Sequence, residues 1–154
     1  MTALLSPSTA TRQSSDLSKH SKEVFAEADE RPIIITRRDG QNLVLMSERE
    51  VELRERALQI GAQIIAATTD DNLSLGTRMA RGFNWMMALS PQSREECAIE
   101  LVEAARAAFS TKEYRLLLNE LVAWTETATA IAAGLNNPDL EWLDEAEPVA
   151  RPSR

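Results

Sequence analysis

Apolar positions mark a strand, a helix, two strands and a long helix in the first seventy residues, and helices alone after that. Thr9–Gln13 are short, β-tolerant and flanked by serines, which predicts a short strand. Ser14 and Ser15 suit an N-cap. Leu17, Ser21, Val24, Phe25 and Ala28 then recur at helical spacing and predict a helix over 15–29. Pro32 opens a β-branched run that ends at Arg37, and Leu43-Val44-Leu45-Met46 supplies a second strand. Arg38-Asp39-Gly40-Gln41 lies between them, with Asp-Gly as the preferred centre of a type I′ turn, where both positions need positive φ. Ser47 followed by Glu50 reads as a capping box. The helix it opens carries Val51, Leu53, Ala57, Leu58, Ile60, Ile64 and Ile65 and is expected to reach about Thr68.

Thr68-Thr69-Asp70-Asp71-Asn72 is a polar break and a candidate linker. Beyond it, Met79, Phe83, Met86 and Met87 fit one helical stripe, with Trp85 beside it. Ser90-Pro91 is an N-cap followed by proline at the first helical position. The next helix places Cys97, Leu101, Val102, Ala105, Ala108 and Phe109 on one face, and Ser110 or Thr111 is expected to start another. Tyr114, Leu117, Leu118, Leu121, Val122, Thr125 and Ala128 form the inner face of that last helix, and Gly134 suits its C′ position. The expected division is a flexible N-terminus (1–8), an α+β unit (9–68), an all-α region (69–135) and an acidic tail (136–154).

The formal net charge of −7 argues against a generic nucleic-acid surface, but its distribution is uneven. Residues 1–47 carry six basic and six acidic side chains, so the N-terminal third repels a polyanion least. Cys97 is the one cysteine, which rules out an internal disulfide and reads as a small buried apolar residue. His20 is the one histidine, so a His-based metal site and the Glu-x-x-His pairs of a di-metal helical site are not expected. Glu95, Glu96, Glu100 and Glu103 read instead as a solvated face, and the five glycines are too scattered for a phosphate loop. No catalytic constellation can be assembled and no cofactor is expected. There is no signal-peptide pattern at the N-terminus and no run of about 18 apolar residues, so the expected compartment is the cytoplasm, with no membrane contact.

Three stretches carry a resemblance. They are Leu17-Ser18-Lys19-His20-Ser21-Lys22-Glu23-Val24-Phe25, Pro32-Ile33-Ile34-Ile35-Thr36-Arg37-Arg38-Asp39-Gly40 and Leu43-Val44-Leu45-Met46-Ser47. Together they resemble the prevent-host-death (Phd/YefM) antitoxin family over about residues 9–65. The resemblance implies a homodimer, or a higher oligomer, in which the sheets of two protomers associate and bind the operator of their own operon. Arg37 matches the arginine that the family carries after Ile-Thr, and Lys19 is the best match to its basic residue early in the first helix. The usual Ala-Arg-x-Asn signature is replaced here by Ser18-Lys19-His20-Ser21, which leaves the DNA contacts open. Arg12, Lys22 and Arg38 complete the candidate set. Composition alone leaves open whether these side chains meet phosphate or solvate a surface.

The second half resembles a helical extension found on some actinobacterial members, through 100–108, 120–128 and 148–152. In the wider family the region after the head wraps a protein toxin. The implied partner is a cognate toxin, with the RelE/ParE-like RNase kind as the expectation, whose basic surface an acidic cover would meet quickly. Phe83, Trp85, Trp124, Leu140, Trp142 and Leu143 are candidates to anchor it, although core packing accounts better for Phe83 and Trp85 than a partner groove does. A stand-alone transcriptional regulator with a helical oligomerisation or sensing domain is the alternative.

Overall fold

In a computed structural model of the chain, residues 10–69 and 72–135 are described. The expected flexible N-terminus, the centre of the candidate linker and the acidic tail with Leu140, Trp142 and Leu143 lie outside those residues. The element order is β1 (Thr11–Gln13), α1 (Asp16–Lys19), α2 (Ser21–Glu30), β2 (Ile33–Thr36), β3 (Leu43–Leu45) and α3 (Glu48–Thr68). Then follow α4 (Leu75–Gly82), a short 3-10 helix (Asn84–Ala88), α5 (Pro91–Thr111) and α6 (Arg115–Ala132). This is the expected α+β head with helices after it.

The head holds a three-stranded sheet in the order β1-β2-β3, with β1 parallel and β3 antiparallel to β2. Alternation along β2 buries Ile33 and Ile35, which join Val24 and Ala28 of α2 in a small core. Two local expectations fail. The helix expected over 15–29 is cut at His20, whose backbone (φ −136°, ψ 37°) leaves the helical region. The Ser18-Lys19-His20-Ser21 run holds three residues of modest helix propensity, and the His20 amide closes α1 on the Asp16 carbonyl instead. The hairpin is also wider than a two-residue type I′ turn. Ile35 pairs with Leu43, and of Asp39 and Gly40 only the glycine has positive φ (110°). The Arg37 Nε donates to the Gln41 carbonyl at 2.8 Å, which closes the longer loop from its side.

Ser47 caps α3 by accepting from the Glu50 amide at 3.3 Å. The reciprocal half of the capping box is absent, because the Glu50 carboxylate accepts from the Arg54 Nε at 3.0 Å. At 21 residues α3 is about 31 Å long by the helical rise. Its second half sends Ile60 and Ile64 into the main core, where they meet Met79, Phe83, Met86, Leu89, Cys97, Leu101, Leu117 and Leu121. α3 thus packs with the helices that follow, and none of its residues joins the small core of the head.

The stripe expected from Met79 to Met87 is broken into α4 and the 3-10 helix, with Phe83 between them in a non-helical conformation (φ −117°, ψ 77°). Met79, Phe83 and Met86 are buried, but Met87 is 63% exposed because the tighter 3-10 turn rotates it outward. Ser90 and Pro91 start α5 as expected. Ser110 and Thr111 do not start the next helix. Their hydroxyls donate back to the Arg106 and Ala107 carbonyls, which keeps them in the last turn of α5, and Lys112 (φ 60°) ends it. At the end of α6, Gly134 takes φ 79° and its amide donates to Ile131 while the Leu135 amide donates to Ala130, a Schellman closure.

The start of α4 is pinned on the start of α5. The Gly76 amide donates to the Glu95 carboxylate at 2.8 Å, and a Cβ at Gly76 would lie 2.9 Å from the Arg94 backbone carbonyl. Backbone cannot yield as a side-chain tip can, so Gly76→Ala is expected to destabilise the chain by about 1–3 kcal/mol through overpacking. Urea unfolding measures it. A midpoint equal to wild type would show that the two helices are free to part.

Candidate nucleic-acid interface

Parallel pairing decides which residues share a surface at the end of the sheet. Gln13 stands in register with Thr36, so the chain leaves β1 and β2 side by side and in the same direction. The Ser14 amide donates to the Thr36 carbonyl at 2.9 Å, and the Thr36 hydroxyl donates to the Arg12 carbonyl at 3.2 Å. The two exits frame an open cleft lined by Gln13, Ser14, Ser15, Thr36, Arg37 and Arg38. Ser15 stands at the N-cap of α1 but makes no capping bond with its side chain, and the Gln13 amide donates to the Asp16 carboxylate at 2.9 Å.

The cleft combines hydroxyl and amide side chains with two guanidinium groups. Those are the groups that hold a phosphate, and arginine also fits a guanine edge. Among the described residues no ion pair involves Arg37 or Arg38. Arg37 is held by its Nε on the hairpin loop, which fixes the direction of the group.

The other basic candidates differ in placement. Arg12 is committed to Glu27, with its Nε 2.9 Å from the carboxylate. Arg31 Nη2 holds the other oxygen at 2.8 Å. Lys19 ends α1 and Lys22 lies in the first turn of α2; both are exposed, and neither lines the cleft. Sequence reading therefore finds Arg37 and Arg38 but misses Gln13, Ser14, Ser15 and Thr36 as their neighbours. The signal was the parallel register, which no local pattern of a three-residue strand reveals.

The double clamp on Glu27 ties β1 to α2. The Arg31 guanidinium, and then that of Arg12, hold the Glu27 carboxyl below its ordinary value of 4.5. A lowered carboxyl stabilises the fold above its unfolded value, and this contribution is lost as pH falls through the folded one. Melting temperature measured from pH 7 down to pH 3 is expected to fall more steeply in wild type than in Glu27→Gln. Parallel curves would show that the clamp adds nothing.

Residues 9–68 match the model of the Phd_YefM antitoxins of type II toxin–antitoxin systems. Over these residues the head is similar to the Phd_YefM antitoxins. The match takes in β1 to β3 and the whole of α3, and it ends where α3 ends. No curated protein and no solved structure matches the chain. Within the matched stretch, the arginine after Ile35-Thr36 lines the cleft beside Arg38.

The aromatic candidates of the helical region are also resolved by placement. Phe83 is 6% exposed and belongs to the core. Trp85 and Trp124 are partly buried against that core, and the Trp124 indole donates to Glu100 at 2.8 Å. Glu100 in turn shares an open, acidic shelf between α5 and α6 with Glu103, Glu120, Ala104, Ala107 and Leu116. Cys97 is fully buried, and burial first, then Glu100 and Glu120, pushes its thiol up to about 12. Among the described residues no group of three potential ligands could hold a metal, and no helix is long and apolar enough to cross a membrane.

Proposed function

We propose that this chain is the antitoxin of a type II toxin–antitoxin pair, which neutralises a protein toxin by direct binding and represses its own operon as a dimer on operator DNA. The match of residues 9–68 to the Phd_YefM antitoxins carries the proposal. The cleft of Arg37 and Arg38 supports its DNA half, with Lys19 and Lys22 as further phosphate contacts. The β3 edge, with Leu43 and Val44 half exposed, supports sheet-to-sheet pairing of two heads. A two-fold pair doubles each contact and calls for a palindromic site.

Toxin capture falls to the helical region. An RNA-cleaving toxin needs a basic surface, and the acidic shelf of α5 and α6 is opposite in sign, which favours fast association. Trp85 and Trp124 flank that region as anchors, and Leu140, Trp142 and Leu143 extend the set in sequence. One observation favours a stand-alone regulator instead: α3 to α6 close a core of their own within one chain. Titration of the full-length protein onto the DNA upstream of its gene tests the repressor half. A shift at low salt that weakens steeply as salt rises is expected. An unshifted fragment at low salt would contradict it.

A further inference from the structure

A groove of about 480 Å³ runs between the second half of α3 and α5. Ile64 and Ile65 line it from α3, and Val102 and Ala105 from α5. The Phe109 ring lies against Gly61, where a Cβ would come within 2.8 Å of it, so the glycine lets the ring settle on α3. Ile65 is 67% exposed and Phe109 36%, so the groove presents apolar surface to solvent. Arg106 is the one ionisable residue of its lining. Among the described residues the Arg106 guanidinium makes no ion pair. Glu103, one turn before it, lines the shelf that α5 forms with α6. The groove is thus an apolar seat beside a single guanidinium.

We propose that this groove seats the chain's own acidic tail, through Leu140, Trp142 and Leu143, with Arg106 meeting the carboxylates that flank them. The contact is internal to one chain and depends on neither a toxin nor DNA. The occupant follows from chemistry and from reach. Asp139, Glu141 and Asp144 alternate with or border those three side chains, so the tail brings both apolar groups and the charge that Arg106 lacks. Residues 1–9, the other long stretch outside the described residues, hold no ionisable side chain and cannot answer Arg106. A basic partner would bring like charge to Arg106, and the acidic shelf suits it better. As for reach, only three residues join α5 to α6, and Trp124 and Glu100 bond at similar distances from that turn, so α6 runs back along α5. Leu135 therefore stands near the start of α5, about 17 Å along the helix from Val102 by the helical rise. The seven residues from Leu135 to Trp142 span about 23 Å when extended, which covers that distance with several ångströms to spare.

Disulfide trapping in the full-length protein reads the contact. Ile65 is well exposed, so Ile65→Cys is compatible with the fold, and the buried Cys97 gives little background. The comparison pair joins Leu143→Cys to Leu116→Cys, an exposed position on the acidic shelf. Under mild oxidation Ile65→Cys with Leu143→Cys is expected to close an intramolecular disulfide about tenfold faster than that pair, because docking raises the local concentration of the tail thiol. Adding Arg106→Glu to the first pair is expected to slow closure by about threefold, the scale of one exposed ion pair. Equal rates for the two pairs, or closure indifferent to Arg106→Glu, would overturn the proposal. Covalent dimers in place of the intramolecular product would put a second copy in the groove and overturn it as well. The protein is tested alone and growth rescue from a toxin is a separate readout, so failure here leaves the antitoxin reading in place.

Discussion

Replacing Arg37 and Arg38 together by alanine is expected to lower the affinity of the dimer for its operator by roughly 1,000-fold. The figure takes the low end of the cost of a lost arginine contact, about 1 kcal/mol, for each of about four guanidinium groups in a two-fold pair. The dependence of affinity on salt should flatten by about three to four in logarithmic slope, because each phosphate contact releases close to one counterion. Both residues are exposed and line the cleft at the end of β1 and β2, so the variant should fold and dimerise as wild type does. Arg12→Ala should behave differently. Its guanidinium is spent on Glu27, so its removal weakens the link between β1 and α2 more than it weakens DNA binding. Titration of labelled operator at several salt concentrations separates the two. Equal losses from Arg12→Ala and from the double variant would mean that the cleft is not the binding surface.

Leu101→Ala is expected to give the largest loss of stability of any single change in the helical region. Leu101 is fully buried where α5 contributes to the core, together with Cys97, Ala98, Ala105 and Ala108 on its own helix and Leu117 and Leu121 on α6. Many of its neighbours on α5 are alanines, which cannot reach into a void, so the cavity should collapse poorly. A loss of about 2–5 kcal/mol follows. For a chain of this size that is about 4–20 °C in melting temperature. A marginal domain holds about 5–15 kcal/mol in all, so the variant should also protect poorly against a toxin at growth temperature. Thermal unfolding by circular dichroism measures the shift, and a change under 2 °C would place the centre of the core elsewhere.

The legible part of the fold was the part in which local chemistry and tertiary packing agree. Ser47 before Glu48, Ser90 before Pro91 and Gly134 after α6 end their helices as their chemistry requires. Ile33 and Ile35 alternate into the core as a strand should. Misreadings arose where a residue has two uses. Ser110 and Thr111 cap well, but their hydroxyls bond equally well to carbonyls one turn back, and that choice moved a helix boundary. Asp39-Gly40 favours a tight turn, but the bond from Arg37 to Gln41 holds a wider one. Met79, Phe83 and Met86 read as one stripe because their spacing suits a helix, and they do share a core, although two different helices deliver them.

The candidate site was legible to the same degree. Arg37 and Arg38 stand out in sequence because they end an apolar strand. Their neighbours Ser14 and Ser15 are some twenty residues away and arrive only through the parallel register of β1 and β2. Phe83 had the composition of an anchor, but burial was decided by the whole helical core. Leu58 and Ile65 misled for the opposite reason: they counted as core by hydrophobicity, and only the rotation of the helix put them outside.

The account as a whole depends on a partner that harms the cell and is held in check by this chain. The most direct measurement is growth of cells that express the product of the adjacent gene, alone and together with the full-length protein. Arrest by the neighbour alone, relieved by co-expression, with both proteins recovered as one complex, is the predicted result. A neighbour that still arrests growth with this chain present and folded, and that does not bind it, would contradict the antitoxin assignment.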